Sequence, residues 1–334
     1  MLAEIFTADL FAAAIRLATP IALAAMGAAI CERSGVVNIA MEGLMLVGAF
    51  GGVVAALLTG SIWVGFFAAL IASCLFASLH AFASINLRSD QVVSGTAINI
   101  LAIGVTGFLV EMIFGRPGNV GLNDSPLATK IMGHPVSQVA SVKPVFDFPA
   151  GGPGVLGTVW NWIDTIVFSY TPIVYIGILS AFFLTWALFR TRWGLRLRSL
   201  GEHPRAADTV GIDVIRGRWI AVLISGVMAG LAGANLSLEQ VGGFSDSMTN
   251  GRGFIALAAN IFGRWIPGGG YLASLLFGFA DALQLKLQIF SDVIKIPSQF
   301  FLMLPYVLTI IVLAGVVGKA VAPAALGKPY KSKG

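Results

Sequence analysis

A polytopic, all-α membrane protein with about nine transmembrane helices is what this sequence predicts. Three observations carry the prediction. Of the 334 residues, 57% are hydrophobic and only 11% are charged, with a mean hydropathy of +0.87; soluble domains carry about 25% charged residues. Apolar runs close to the ~20 residues that a helix needs to cross a bilayer recur from residue 10 to residue 317. The 40 glycines suit close packing of such helices, where small residues let backbones approach.

The first run, residues 10–30, is long and has no basic stretch before it, so it reads as a retained helix rather than a signal peptide. Arg16 within it reads as a snorkelling or bundle-packed side chain. Runs two to four cover 36–59, 62–85 and 91–114, with Trp63 at an interfacial position and residues 86–90 as a polar turn. Residues 115–171 are rich in glycine and proline and balanced in charge. They read as an external loop whose Trp160 and Trp162 lie near the headgroups. Run five is 172–189. Runs six to nine are 219–238, 253–266, 271–290 and 300–317. The seventh is too short for a comfortable span, so a short or broken crossing is expected there.

An odd number of crossings with the tail inside puts the N-terminus outside and residues 319–334 in the cytoplasm. Arg33, Arg88, the arginines of residues 190–218, Arg264, Lys319, Lys328, Lys331 and Lys333 then face inwards. Only Arg116, Lys130, Lys143, Arg252 and Lys295 face outwards, as the positive-inside rule requires. Residues 1–334 thus read as one transmembrane domain in the cytoplasmic (inner) membrane. The net charge of +5 reports orientation and contact with anionic membrane lipid. Aromatics interleaved with a basic groove, which binding to nucleic acid would want, are absent. Runs one and six both end in a glutamate, Glu32 and Glu239, with Gly35 and Gly242 three residues on. The orientation makes the two halves compatible with an inverted repeat, which in transporters puts the path near the interface between repeats.

The long polar stretch between apolar runs is 190–218. It holds Arg190, Arg192, Arg196, Arg198, Arg205, Arg216 and Arg218 against Glu202, Asp208 and Asp213. Its centre has the grammar of a short helix. His203-Pro204 opens it, because proline at a first-turn position loses no amide donor. Ala206 and Ala207 are strong helix formers, and Gly211 supplies a left-handed stop. One capped cytoplasmic helix of this kind suits docking of a soluble partner; an ordinary topogenic loop with a helical turn fits the same residues.

Chemistry-bearing motifs are few. Gly315-Val316-Val317-Gly318-Lys319 lacks the spacing of a phosphate-binding loop, so if ATP drives this protein another chain hydrolyses it. Cys31, Cys74, His80, His134 and His203 make no metal-ligand spacing, and no nucleophile elbow or HExxH occurs. No catalytic residue, metal or cofactor is expected on this chain. His80 reads as a hydrogen-bonded packing residue. The intramembrane polar residues remain, and these are costly to expose to lipid. Asn38 and Glu42, four apart, would share a helix face. Asn99 lies in the middle of run four and Asn260 in the short run seven. These four are the candidate translocation-path residues, since a neutral, hydroxyl-rich solute wants amide donors and acceptors. Interhelical bonding is the competing reading for Asn38 and Glu42, and an ion pair for Asp281 with Lys286.

Gly201-Glu202-x-Pro204-x-Ala206-Ala207-x-x-x-Gly211-Ile212 resembles the coupling-loop motif of ATP-binding-cassette (ABC) importer permeases. The branch is the one handling simple sugars, nucleosides and branched-chain amino acids. The stretch from Glu32-Arg33-Ser34-Gly35 through Asn38 and Glu42-Gly43-Leu44-Met45 resembles the N-terminal signature of that branch. Gly253-Phe254-Ile255-Ala256-Leu257-Ala258 with Gly263-Arg264-Trp265-x-Pro267 matches it too. The first two motifs are most similar to nucleoside-uptake permeases. The resemblance implies a transport subunit, not an enzyme, that imports nucleosides or a related small polar solute, with simple sugars or branched-chain amino acids as alternatives. It implies ABC ATPase subunits, a second homologous permease and an external substrate-binding protein as partners. It gives ATPase coupling to Gly201, Glu202, Pro204, Arg205, Ala206, Ala207 and Gly211. An ion-coupled secondary transporter is the rival from outside the family.

Overall fold

The computed structural model describes residues 6–115, 118–124, 139, 141–146, 148–149, 155–289, 300, 303, 307, 310–311 and 321–331. In chain order its helices are α1 (Ala8–Arg33), α2 (Met41–Thr59), α3 (Ile62–Ala81, prolonged by a π-helical turn, Phe82–Asn86) and α4 (Gln91–Phe114). Next come α5 (Val155–Ile163), α6 (Pro172–Arg190), α7 (Arg192–Glu202) and α8 (Pro204–Thr209). The last are α9 (Val214–Ala234, prolonged by π-helical Asn235–Val241), α10 (Arg252–Phe262) and α11 (Pro267–Ile289). Among the described residues, 7 helices are long and apolar enough to cross a membrane: α1, α2, α3, α4, α6, α9 and α11.

Contacts between distant residues define two ends of the bundle. Arg33 closes α1 and lies 3.9 Å from Glu202 of α7. Trp219, near the start of α9, donates to Asn86 at the end of α3 at 2.8 Å. This is the basic end. At the opposite end the Gln240 amide donates to the Arg16 carbonyl at 2.9 Å. There β1 (Val120–Gly121) pairs antiparallel with β2 (Gly243–Phe244), Val120 opposite Phe244.

α1, α2 and α9 form the interior. Ile21 through Cys31 of α1 are completely buried. α3, α4, α6 and α11 surround them. On α3 the residues Trp63, Phe67, Ile71, Leu75 and Leu79 are exposed at a four-residue spacing, one apolar face on a helix. Lipid tails are as apolar as these side chains, so close packing rather than the hydrophobic effect holds the helices together. α9 shows how. A side chain on Gly233 would strike the Met45 carbonyl and the Ala49 amide of α2; one on Gly230 would lie 2.8 Å from the Ala69 carbonyl of α3; one on Gly226 would lie 2.7 Å from the Ala77 methyl.

The helices fall where the apolar pattern predicts, with physical reasons for the differences. The second helix begins at Met41, so residues 36–40 are not helical. The seventh run, expected to be a short or broken crossing, forms a helix of 11 residues, α10, preceded by non-helical backbone from Gly242 to Gly251. Residues 190–218 are not one loop. Thr191 caps α7 by accepting from the Gly194 amide, and Asp213 caps α9 by accepting from the Arg216 amide at 2.9 Å. α9 therefore starts inside the predicted loop and carries Arg218 into the bundle, where it is 2% exposed. The predicted external loop, 115–171, contains α5 and β1. Among the described residues no ion pair joins Asp281 to Lys286, because a five-residue separation puts them on different sides of α11. The ninth run, 300–317, falls largely outside the described residues, as does part of 319–334.

α1, running towards the basic end, and α9, running away from it, finish alike. Each carries a glutamate in its last turn, Glu32 and Glu239, with a left-handed glycine three residues on, Gly35 at φ +93° and Gly242 at φ +68°, and then non-helical backbone before the next helix. These are the points at which the inverted relation between halves can be compared.

Gly233→Val should lower the stability of the detergent-purified chain by about 1–3 kcal/mol or prevent folding, since it overpacks a backbone contact. Gly104→Val should change the thermal midpoint little, because nothing lies within 4 Å of that position. Thermal unfolding of both variants measures the difference.

Candidate functional site

Two regions bring the sequence-predicted residues together. The first is the pair of breaks in the bundle. Backbone outside a helix, away from water, needs partners for every N–H and C=O. Residues 34–40 find them on three neighbouring helices. The Val37 amide donates to Gln91 Oε1 at 2.7 Å, and the Val37 carbonyl lies 3.0 Å from His80 Nε2. Asn38, fully buried, accepts from the Ala40 amide and donates to Ser225 Oγ of α9 at 2.7 Å. Asn99 donates to the Ile39 carbonyl at 2.9 Å and accepts from the Gly43 amide at 2.8 Å. Asn38 therefore does not share a helix face with Glu42, because the helix begins only at Met41.

The second break is held from α2. Glu42 receives the Gly251 amide on Oε1 at 2.8 Å and the Gly253 amide on Oε2 at 2.6 Å. Both donors are at the N-terminus of α10, where a carboxylate complements the helix dipole. A side chain at residue 253 would strike the backbone of Glu42. At the far end of α10, Asn260 donates to Glu32 Oε2 at 2.9 Å, and the Trp265 indole donates to the same oxygen. Arg33 closes the corner. Its Nε donates to the Trp265 carbonyl at 2.9 Å and its Nη2 to the Arg264 carbonyl at 3.0 Å. α10 is thus clamped between Glu42 and the Glu32–Arg33 pair. All four predicted path residues sit along the breaks, and each bonds to another segment. The roles of Glu32 and Trp265 escaped the sequence reading, although a carboxylate closing an apolar run just before a glycine was the available signal.

The second region is the surface of α7 and α8 at the basic end. The predicted short helix forms at Pro204–Thr209, and Gly211 takes the left-handed conformation at φ +80°. The motif divides by exposure. Gly201 and Ala207 are buried: a side chain at 201 would strike the Arg33 carbonyl, and Ala207 packs with Leu200, Val214 and Tyr330. Arg205, Ala206 and Gly211 are exposed, and the Glu202 side chain is 44% exposed. A groove of about 680 Å³ runs between the two helices, lined by Leu195, Arg198, Glu202, His203, Ala206 and Val210 among others. It combines an apolar floor with cationic and anionic rims and opens to solvent.

Removing the carboxylate at Glu42 takes two charged hydrogen bonds from α10, each worth about 1.5–3 kcal/mol. Glu42→Ala should destabilise the chain by about 3 kcal/mol or more and speed amide exchange at Gly251 and Gly253. Glu42→Gln, which keeps one acceptor, should lie between Glu42→Ala and the wild type in thermal unfolding and hydrogen exchange.

A family model described as branched-chain amino acid transport system, permease component, matches residues 10–313. The chain is 42% identical over 323 residues to the guanosine ABC transporter permease protein NupQ of Bacillus subtilis, spanning 94% of this chain and 93% of that one. It is 40% identical over 323 residues to the nucleoside ABC transporter permease protein NupC of Lactococcus lactis, spanning 94% of each. To the putative glucose ABC transporter permease protein TsgC13 of Haloferax volcanii it is 34% identical, over 85% of this chain and 79% of that one. With a match that covers both breaks and the α7–α8 surface, the chain belongs to the branched-chain amino acid transport permease family and is a membrane-spanning permease subunit of an ABC transporter, not itself an ATPase.

Proposed function

We propose that this permease carries nucleosides into the cytoplasm, with α7 and α8 as the surface on which an ABC ATPase docks. The observation that carries the coupling reading is the exposed helix Pro204–Thr209 beside an open groove, with Arg205 and Ala206 outward and Gly201 and Ala207 tied to the bundle. The substrate reading rests on near-full-length identity of 40–42% to permeases named for guanosine and nucleosides. The basic end, which holds the arginine-rich stretch, faces the cytoplasm in this reading, and the N-terminus faces outside. A second, homologous permease completes the pathway, two ATPase subunits engage the basic end, and an external binding protein delivers the solute. The path borders the two breaks. Asn38, Glu42 and Asn99 act there through the backbone they hold, and Asn260 through the Glu32 carboxylate to which it donates, so that the ends of α2 and α10 keep fixed positions beside the solute.

A simple sugar is the second reading, favoured by the likeness to a permease named for glucose. Uptake of radiolabelled guanosine, uridine, glucose and leucine, in cells with and without this gene, separates the readings. Gene-dependent guanosine or uridine uptake that survives collapse of the ion gradients at constant ATP is the expected result. Glucose or leucine in its place changes the substrate and keeps the machinery. Uptake lost on gradient collapse overturns the ATP-driven reading. Replacing Glu202 and Arg205 together by alanine should abolish ATP-linked uptake while membrane insertion stays intact; normal uptake in that variant overturns the assignment of the coupling surface.

A further inference from the structure

Residues 321–331 lie across the basic end and touch each part of the machinery there. The Ala325 amide donates to the Gly201 carbonyl of α7 at 2.8 Å, and the Ala324 amide lies 3.3 Å from Glu202 Oε2. The Gly327 amide donates to the Gly35 carbonyl in the first break at 3.1 Å, in a left-handed turn at φ +75°. The Lys328 carbonyl accepts from Arg218 Nη1 at 3.1 Å, while Arg218 Nε donates to the Ser34 carbonyl at 3.2 Å. The Arg218 guanidinium lies 6.0 Å from the centre of the Tyr330 ring. The Tyr330 hydroxyl donates to Asp208 Oδ2 at 2.6 Å. Among the described residues this is the one side-chain hydrogen bond that joins α8 to another element.

α8 also meets the bundle directly: one residue, His203, joins it to α7, Ala207 packs with Leu200 and Val214, and the turn at Gly211 is closed by the Ile212 amide donating to the Ala207 carbonyl at 3.0 Å. None of these connections reaches the first break. The segment 321–331 ties Asp208 of α8 to Gly201 of α7, to Arg218 of α9, and to Ser34 and Gly35. From Gly35 the chain leads in three residues to Asn38, inside the bundle.

We infer that residues 321–331 are a transmission clasp, by which displacement of α8 reaches the first break through Tyr330, Gly327 and Arg218. This rests on the reading of α8 as the ATPase-docking helix. Two chemical features suit the clasp to that task. Its contacts to Gly35 and Gly201 are backbone hydrogen bonds, which hold geometry without long, soft side chains. Its contact to α8 is a short bond from a phenol to a carboxylate, stronger than a neutral pair. Lys328 and Lys331, two of the tail lysines that the sequence ascribes to lipid contact, thus belong to a segment whose backbone bonds to the protein.

The test uses the complete transporter, purified with its ATPases and partner permease, supplied with its binding protein and reconstituted in liposomes. Tyr330→Phe removes one hydroxyl and keeps the ring; a chain ending at residue 320 removes the clasp. The readouts are ATPase recovered with the permease, ATP hydrolysis, and solute imported per ATP, with guanosine, uridine, glucose and leucine as the probes. Tyr330→Phe is expected to keep full ATPase recovery and to lower import per ATP about two- to thirtyfold, as for a residue on a coupling route, with the truncated chain at least as impaired. Asp208→Ala combined with Tyr330→Phe should be no worse than the more impaired single variant. Import per ATP unchanged in Tyr330→Phe overturns the clasp. Loss of ATPase recovery in step with import also overturns it, by making Tyr330 a docking residue. A wild-type chain that recovers no ATPase overturns the docking reading beneath it, and that failure is visible before any variant is compared.

Discussion

Non-helical backbone inside an apolar bundle has to find its own hydrogen-bond partners, and this constraint organises the interior of the permease. A helix satisfies its amides within itself; the largely buried residues 34–40 do not, whereas residues 242–251 are partly exposed and bond through local turns, β1 and Glu42. Leaving one such group unpaired in hydrocarbon costs several kcal/mol. That outweighs the cost of carrying an amide or carboxylate side chain into the bundle to pair with it. Asn38, Glu42, Gln91, Asn99 and Ser225 lie where a break runs past, and each bonds to the break or to the start of the next helix. The polar interior is in this sense the complement of the broken backbone.

The consequence is a stiff frame. α10 is fixed at its N-terminus to α2 through Glu42 and at its other end to α1 through Glu32 and Arg33. The close approaches of Gly253 to Glu42 and of Gly233 to α2 exclude slack between these elements. A transporter must nevertheless change which side of its pathway is open. Movement then has to enter where the frame meets softer connections, and α7, α8 and the 321–331 segment all converge on Arg33, Gly35 and Arg218 at the basic end.

Much of this was legible in the sequence. Among the described residues, the apolar runs marked seven helices long and apolar enough to cross a membrane, most of them to within a few residues, because in lipid a helix is the available solution for an isolated apolar segment. The short seventh run corresponds to the 11-residue helix α10. Proline at 204 and glycine at 211 bounded the short α8, since both act through local backbone geometry. The resemblance of three motifs to ABC permeases led to the family. Less legible were the starts of α2 and α9. Apolar periodicity continues through residues 36–40 although the backbone there is held open by bonds to His80, Gln91 and Asn99, all distant in sequence. Arg218 looked like one more loop arginine, because composition does not distinguish a solvated guanidinium from one bonded to the Ser34 and Lys328 carbonyls.

The sequence by itself determined that this chain is a helical membrane protein, where most of its crossings lie, and that its central polar stretch carries a short capped helix. Those properties depend on hydropathy and local backbone preference, which act over a few neighbouring residues. Only the tertiary structure decided that Glu42 caps α10, that Glu32 gathers Asn260 and Trp265, and that Tyr330 reaches Asp208 across 122 positions of chain. A buried polar group takes whichever partner the packing of distant helices brings within about 3 Å, and nothing in its own neighbourhood of sequence names that partner.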